Sequence, residues 1–477
     1  MYDTFSVTTY DTLPDATGTT SFGYDAAQSS TKREQRPKRN WSEDAILNDK
    51  LRDKLTSDSR ELDRNFSIAA WALRKHLDYV STFSFQAQTD DENLNDHIEA
   101  FIRKKSKPGQ VEVTGRHSLA SYIRTLEGRA VIDGDCGTVR LRNGLLQAIE
   151  GDRIRDPKKK SKDAKWVNGV KIDEFGRPLL YCVHNRGREG KRYDKEKYFG
   201  ANNFNLHGYF GRFDQTRGVT PFSSGINSLL DVYEGIGHTL AKMKVEALFA
   251  LVTTRDADEG LGDYGPVAPG ESGESDPPDK SGSTVDFGFG PVHLDMDPGE
   301  DAKFLKSDSP GANSREFMFS VLMLALKSLD LPFSFFDEAH TNFFGSRAAW
   351  LHYERSCDPK RDAIRDGVLE WWTLWKMTLG LLSGELRLPR GMKITPDLFE
   401  WVPRGMPWWD PVKEVNGDIL SIGAGLNNPQ AACKARGTVF EDNIRATSRA
   451  MKYAEKHGVP LSFVPLVEST PSDEKDS

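Results

Sequence analysis

From Trp41 to about Val80 apolar residues recur at threes and fours, with Leu62, Phe66, Ala69, Ala70 and Leu73 interleaved by Lys and Arg. That pattern predicts an amphipathic helix lying on a core. Between Leu119 and Arg155 a second helical stretch, SLASYIRTLEGRAV, gives way to alternating apolar positions around Asn143-Gly144, a two-residue hairpin signal. A further hairpin is predicted in VNGVKIDEFGRPLLYCVHN, with Asp173 to Pro178 at the turn and Leu180, Cys182 and His184 at alternate positions of the returning strand. The longest periodic segment follows Pro221, with Ser223 or Ser224 as N-cap and Ile226, Leu229, Tyr233, Ile236, Leu240, Met243, Ala247 and Leu251 in steps of three and four. This is close to a heptad seam, and a helix of about 30 residues would reach roughly 45 Å, a length suited to a packed bundle or an oligomeric ring.

Downstream, FGPVHLDMDPGEDAKFLKSD predicts two short strands around Pro298-Gly299, and REFMFSVLMLALKSLDLPF a helix stopped by Pro332. More helices are expected from Ser346 to about Leu382 and from about Thr438 to His457, and no unit repeats. The chain of 477 residues is long enough for roughly two to four domains. Residues 1–40 are rich in Thr, Ser, Asp and Gly and end in a basic cluster, which predicts an arm ordered only by a partner. From Asp256 to Asp286, nine acids face Lys280 alone, a local charge of -8 against -7 for the whole chain. The basic stretches KKKSKDAK and RGREGKRYDKEK are interrupted by acids and read as solvated sheet edges. A net charge of -7 argues against a protein that wraps nucleic acid tightly by releasing counterions.

Little catalytic chemistry is legible. The four cysteines, Cys136, Cys182, Cys357 and Cys433, are too far apart for a metal or redox motif and read as reduced thiols of a cytosolic protein. No secretory leader and no run approaching 18 apolar residues is present, so neither secretion nor membrane spanning is expected. Asp337-Glu338-Ala339-His340 spells the DEAH box of helicases, but no phosphate loop of the form G-x-x-x-x-G-K-[ST] accompanies it. A nucleotide-dependent nucleic-acid enzyme using those residues is the alternative reading. Asp133 and Asp135 flank a Gly before a strand, a context of turns more often than of acid/base pairs. The pairs Trp371/Trp372 and Trp408/Trp409 read as core rather than as base-stacking platforms.

Taken in order, nine segments resemble the lambda-type portal proteins of tailed bacteriophages: Arg64-Asn65 before an apolar helix, IDGDCGTVRL with LLQAIEGDRI, NGVKIDEFGRPLLYCV, RGVTPF, LPFSFF, NFFGSRAAW, PWWDPVKE, GAGLNNPQ and EKHGVPL. The agreement spans most of residues 60–465. It departs from the usual pattern at Asp133-Gly134-Asp135, where Asp-Gly-Glu is common, and at Phe344-Gly345-Ser346.

The resemblance implies an α+β portal fold with a wing of helices and β-hairpins, a long-helix stem, a small mixed α/β clip and a helical crown. Its implied organisation is an arm at 1–40, wing at 41–222, stem helix at 223–254, clip at 255–306, returning stem helix at 307–330, tunnel loop at 331–344, further wing helices at 345–427 and crown with acidic tail at 428–477. The implied function is a ring, usually of twelve copies, at one capsid vertex of the virion, assembled in the host cytoplasm. Double-stranded DNA would enter and leave through it, the terminase large subunit and then a head-tail adaptor would dock on it, and major capsid and scaffold proteins would surround it. No enzyme activity, cofactor, metal or membrane is implied. Asp337, Glu338, His340 and Asn342 would line the channel; Ile226, Leu229, Tyr233, Ile236, Leu240 and Met243 would form the seam between subunits; Asp256, Asp258, Glu259 and Asp263 would serve clip docking.

Overall fold

The computed structural model describes residues 41–159, 165–187, 193–249, 312–337, 343–405 and 410–461. The opening helical pattern forms α1 (Glu43–Ile46), α2 (Asp49–Asn65) and α3 (Ser67–Val80) rather than one helix. The break between the last two falls at Phe66, whose backbone is extended while its ring stays buried, so the chain turns without taking the Leu62 to Leu73 stripe off the core. Strand β1 (Phe83–Ala87), α4 (Glu92–Lys105) and α5 (Leu119–Asp133) follow, with Ser118 capping α5 through its hydroxyl.

Both predicted hairpins are present. The first joins β2 (Asp135–Arg140) to β3 (Leu146–Glu150), antiparallel with Cys136 opposite Glu150. Leu141 N donates to the Leu145 carbonyl, which leaves a three-residue loop in place of the expected two, and Gly144 takes φ +80° there. The second joins β5 (Val170–Ile172) to β6 (Pro178–Arg186), where Asp173 Oδ1 accepts from the amides of Phe175 (2.9 Å) and Arg177 (2.7 Å). A further Asn-Gly pair, Asn168-Gly169, turns β4 (Trp166–Val167) into β5 with both residues at positive φ. Strand β7 (Tyr193–Gly200) completes the order β4-β5-β6-β7, and β8 (Phe204–Gly208) completes β3-β2-β8. Tyr181, Cys182, Val183 and His184 are all buried, so β6 is covered on both faces. A small core of Val139, Ile149, Ile154, Val170, Tyr181, Val183 and Phe204 joins the two sheets, with the Tyr181 and Phe204 rings stacked at 4.1 Å.

The long helix α6 is described over Ile226–Phe249. Its start corrects the expected N-cap, since Ser223 and Ser224 lie inside a 3-10 turn, Pro221–Ser224, that Thr220 caps by accepting from Phe222 N at 3.1 Å. Helix α7 (Ala312–Leu326) packs on α6 and ends through a 3-10 turn at Asp330, φ +62°, two residues before Pro332. Helix α8 (Phe343–Ile364) carries Pro359 inside it and runs through a π turn, Arg365–Leu369, into α9 (Glu370–Ser383). The last strand, β9 (Phe399–Pro403), pairs antiparallel with β1 from the other end of the chain. Three helices close the described chain: α10 (Pro411–Gly423), α11 (Pro429–Ala435) and α12 (Phe440–Lys456), the last matching the helix expected near Thr438 to His457. The main core gathers residues of α2 to α9, β1 and β9. Trp372 lies within it, while Trp408 and Trp409 fall outside the described residues.

Candidate functional site

Arg217, just before α6, is fully buried and uses every donor of its guanidinium. Nε and Nη2 grip the Asp135 carboxylate at 2.7 Å each, Nη2 also reaches the Gly151 carbonyl at 2.8 Å, and Nη1 reaches the carbonyls of Ile154 (2.8 Å) and Asn168 (2.7 Å). Gly218 N adds a bond to Asp135 Oδ2 at 2.8 Å. Four of the segments singled out in the sequence therefore converge on one side chain: IDGDCGTVRL through Asp135, LLQAIEGDRI through Gly151 and Ile154, NGVKIDEFGRP through Asn168, and RGVTPF through Arg217 itself. The approach demands glycine, because a Cβ at Gly218 would lie 2.1 Å from the Gly134 carbonyl oxygen and one at Gly134 would lie 2.6 Å from that of Gly218. Gly134 also sits at φ +92°.

Electrostatics keeps this junction ionised. Burial alone would raise the Asp135 pKa, but Arg217, with Arg52 behind it at 3.6 Å, holds it below the usual carboxylate range. Arg52 is itself lowered to about 10, first by burial and then by Arg217. Next to it Arg60 forks onto Asp133 (2.8 and 2.6 Å) and reaches Asp152 (3.1 Å), which Arg186 also binds at 2.9 Å. Asp133 and Asp135 thus flank a turn, as expected, and both carboxylates are committed to arginines rather than arranged as an acid/base pair.

A second buried polar cluster is centred on Glu127 of α5. Glu127 accepts from His76 Nε2 (3.0 Å), His207 Nε2 (2.6 Å) and the Tyr209 hydroxyl. Burial opposes its charge, yet the bonds from His207 and His76 outweigh it and keep the carboxyl well below its ordinary pKa. The cluster ties α3, α5 and the end of β8, and nothing in the sequence pattern marks it, because its members are 51 to 82 residues from Glu127. Among the described residues no group of His, Cys, Asp and Glu could hold a metal ion, and no helix is long and apolar enough to cross a membrane.

The seam positions divide. Ile226 and Leu229 are buried in the chain's own core, so their contribution is to the fold of the subunit rather than to a surface between subunits. Ile236 packs against that core, Tyr233 is partly exposed with its ring 5.4 Å from that of Phe66, and Leu240 and Met243 are 52% and 50% exposed. On α7, Phe317, Met323 and Leu324 are likewise exposed. In the expected channel loop, Leu331 is fully buried and Phe333, Phe335 and Phe336 pack on the core, with the Phe335 and Tyr79 rings stacked at 5.8 Å. Asp337 follows, its amide bonded to the Phe333 carbonyl at 3.0 Å, while Glu338, His340 and Asn342 lie outside the described residues. So do Asp256, Asp258, Glu259 and Asp263.

Several known proteins are similar to this chain. The family described as phage portal protein, lambda family, matches residues 29–361. A probable portal protein of Halomonas phage phiHAP-1 is 23% identical over 390 residues, covering 78% of this chain and 73% of that protein. Among solved structures, a chain of the neck of an empty gene transfer agent particle, computed with C6 symmetry, aligns with a TM-score of 0.44 at 14% identity, covering 85% of this chain and 94% of that one. A chain of the native particle's neck, computed with C12 symmetry, aligns at 0.41 and 14%, covering 80% and 93%. The Arg217 junction lies wholly within the matched span, which extends over well more than half of the sequence, and the chain belongs to the lambda family of phage portal proteins.

Proposed function

We propose that about twelve copies form a closed ring at one vertex of a phage capsid, a conduit through which double-stranded DNA is packaged and later ejected. The observation that carries this reading is the family match over residues 29–361. The half-exposed Leu240 and Met243 on α6, and Phe317 and Leu324 on α7, supply apolar surface that the subunit leaves uncovered and a neighbour can bury. In this reading α6 and α7 are the stem, the two β-hairpin sheets with α1 to α5 and α8 to α10 are the wing, and α11 and α12 belong to the crown. The tunnel loop is 331–344, and Asp337, Glu338, His340 and Asn342 are its channel-facing residues.

A conduit for a polyanion has to guide the duplex without holding it. A charge of -7 per copy keeps counterions between wall and DNA, so that no step along the axis becomes a deep well. The protein is then structural, with ATP hydrolysis supplied by the terminase that docks on the acidic clip, followed by a head-tail adaptor. Native mass spectrometry with negative-stain imaging tests the reading: about twelve copies of 53.5 kDa give a particle near 640 kDa with a central hole. A strict monomer at high concentration, with magnesium and moderate salt, defeats it.

A further inference from the structure

The loop between β8 and α6 is built as a rigid tip. At its base Tyr209 N donates to the Gly134 carbonyl and Val219 N to the Tyr209 carbonyl, both at 3.0 Å. Inside it, the Gln215 amide oxygen accepts from Gly211 N (2.8 Å) and Arg212 N (3.3 Å), and its nitrogen donates to the carbonyls of Tyr209 (3.3 Å) and Arg217 (2.7 Å). Thr216 N binds Asp44 at 2.9 Å and Arg212 binds the Trp41 carbonyl at 3.2 Å, which fastens the loop to the start of α1. This frame presents Phe213 fully exposed, with Phe210 beside it about half exposed. A large ring held in water by a loop braced on both sides gains nothing for its own subunit. It has the character of an aromatic anchor for a partner.

A matching recess lies at the other end of α5. Its volume is about 130 Å³, and its walls include Phe83, Leu119, Ala120, Ile123, Leu369 and Trp401. Ser81 and Ser106 complete it, but their hydroxyls donate to the carbonyls of Leu77 (2.7 Å) and Ile102 (2.8 Å), so the space itself is apolar in character. Exposed Ala120 marks the mouth. An apolar cavity of this order accommodates one benzene-sized ring. Helix α5 runs from Leu119 at the recess to Asp133 beside the loop base, about 21 Å at 1.5 Å per residue, so the ring cannot fill the recess of its own chain.

We propose that Phe213 of one subunit inserts into this recess on the next copy, a head-to-tail contact repeated around the closed ring. The inference rests on the ring reading above, and the experiment separates the two. Full-length protein is followed by native mass spectrometry across a dilution series. If the wild type stays monomeric, the ring reading falls and this contact with it. Where the wild type assembles, Phe213→Ala and the recess-blocking Ala120→Trp each raise the midpoint concentration of assembly by about tenfold or more. Far-UV melts of the dissociated subunits should stay unchanged, since both positions are exposed. In a Cys433→Ser background, which leaves only buried native thiols, Phe213→Cys combined with Ala120→Cys should give a ladder of oligomers with a short bis-maleimide, and neither single change should. Rings that assemble with wild-type midpoints in both blocking variants, or no ladder from the double variant, overturn the contact and leave the ring standing.

Discussion

Replacing Arg217 with Met removes the fork from Asp135 and the donors from the Gly151, Ile154 and Asn168 carbonyls in one step. Breaking a buried ion pair by deleting one partner costs about 3–5 kcal/mol, and each lost neutral bond adds roughly 0.5–1.5 kcal/mol. Arg52, 3.6 Å from Asp135, offsets part of this, so the expected loss is about 4–6 kcal/mol, a large share of the roughly 5–15 kcal/mol that holds a domain together. Arg217→Lys keeps the charge but not the planar fork and should fall between. Urea unfolding followed by far-UV circular dichroism, at a concentration where native mass shows single subunits, measures both. The pH dependence supplies a sign. In the wild type the Asp135 pKa lies below its unfolded value, so its stabilisation is present above about pH 4 and disappears as pH falls through the folded value. Without Arg217, burial prevails and raises that pKa, so the variant should gain stability as pH is lowered from 7 toward about 5. An unfolding free energy within about 1 kcal/mol of wild type, or an unchanged acid limb, would refute the assignment of this side chain as the hub.

Glu127→Gln turns one acceptor oxygen into a donor facing His76, His207 and Tyr209, and should cost about 2–4 kcal/mol by the same unfolding assay; an unshifted midpoint would mean that the cluster is incidental. Lys376 is lowered to about 8, first by burial and then by Lys105, so the unfolded chain binds more protons between pH 8 and 10.5 and stability should rise with pH there. Comparing wild type with Lys376→Met across that range checks it, and parallel curves would show that the amine stays charged. Leu240→Asp with Met243→Asp should leave the subunit's own melt within about 0.5 kcal/mol, because both positions are half-exposed, while rings fail to form. Rings of normal mass from that double variant would remove this face from the interface.

Local signals in the sequence carried far and long-range ones did not. Asn143-Gly144 and Asp173 to Arg177 announce their hairpins because a turn is written in adjacent residues, and the starts of α5 and α12 follow from periodicity that any neighbour-by-neighbour reading detects. The break at Phe66 was hidden because the same apolar stripe continues across it: only the extended backbone of that one residue separates α2 from α3. Strands β1 and β9 are invisible singly, since each is five residues long and its partner lies at the opposite end of the chain.

The family-like segments themselves look unremarkable one by one, and the reason for their particular residues appears only when the chain is folded. Asp135, Gly151, Asn168 and Arg217 share no spacing that a motif could express, yet they meet at one guanidinium. Gly134 and Gly218 are small because two backbones cross there with no room for a Cβ. A buried, fully bonded charge cluster adds little net stability compared with apolar packing, but it tolerates only one arrangement of its partners. At this junction the sheet pair is joined to the segment that leads into α6 by such a cluster, while Ile226 and Leu229 of α6 pack in the apolar core, so the angle at which the long helix leaves the sheets is set by hydrogen-bond geometry and packing together. In a ring built from many copies, an error in that angle would repeat at every subunit and prevent closure. Gly134, Asp135, Arg217 and Gly218 are therefore the positions at which the subunit's own geometry leaves the fewest alternatives.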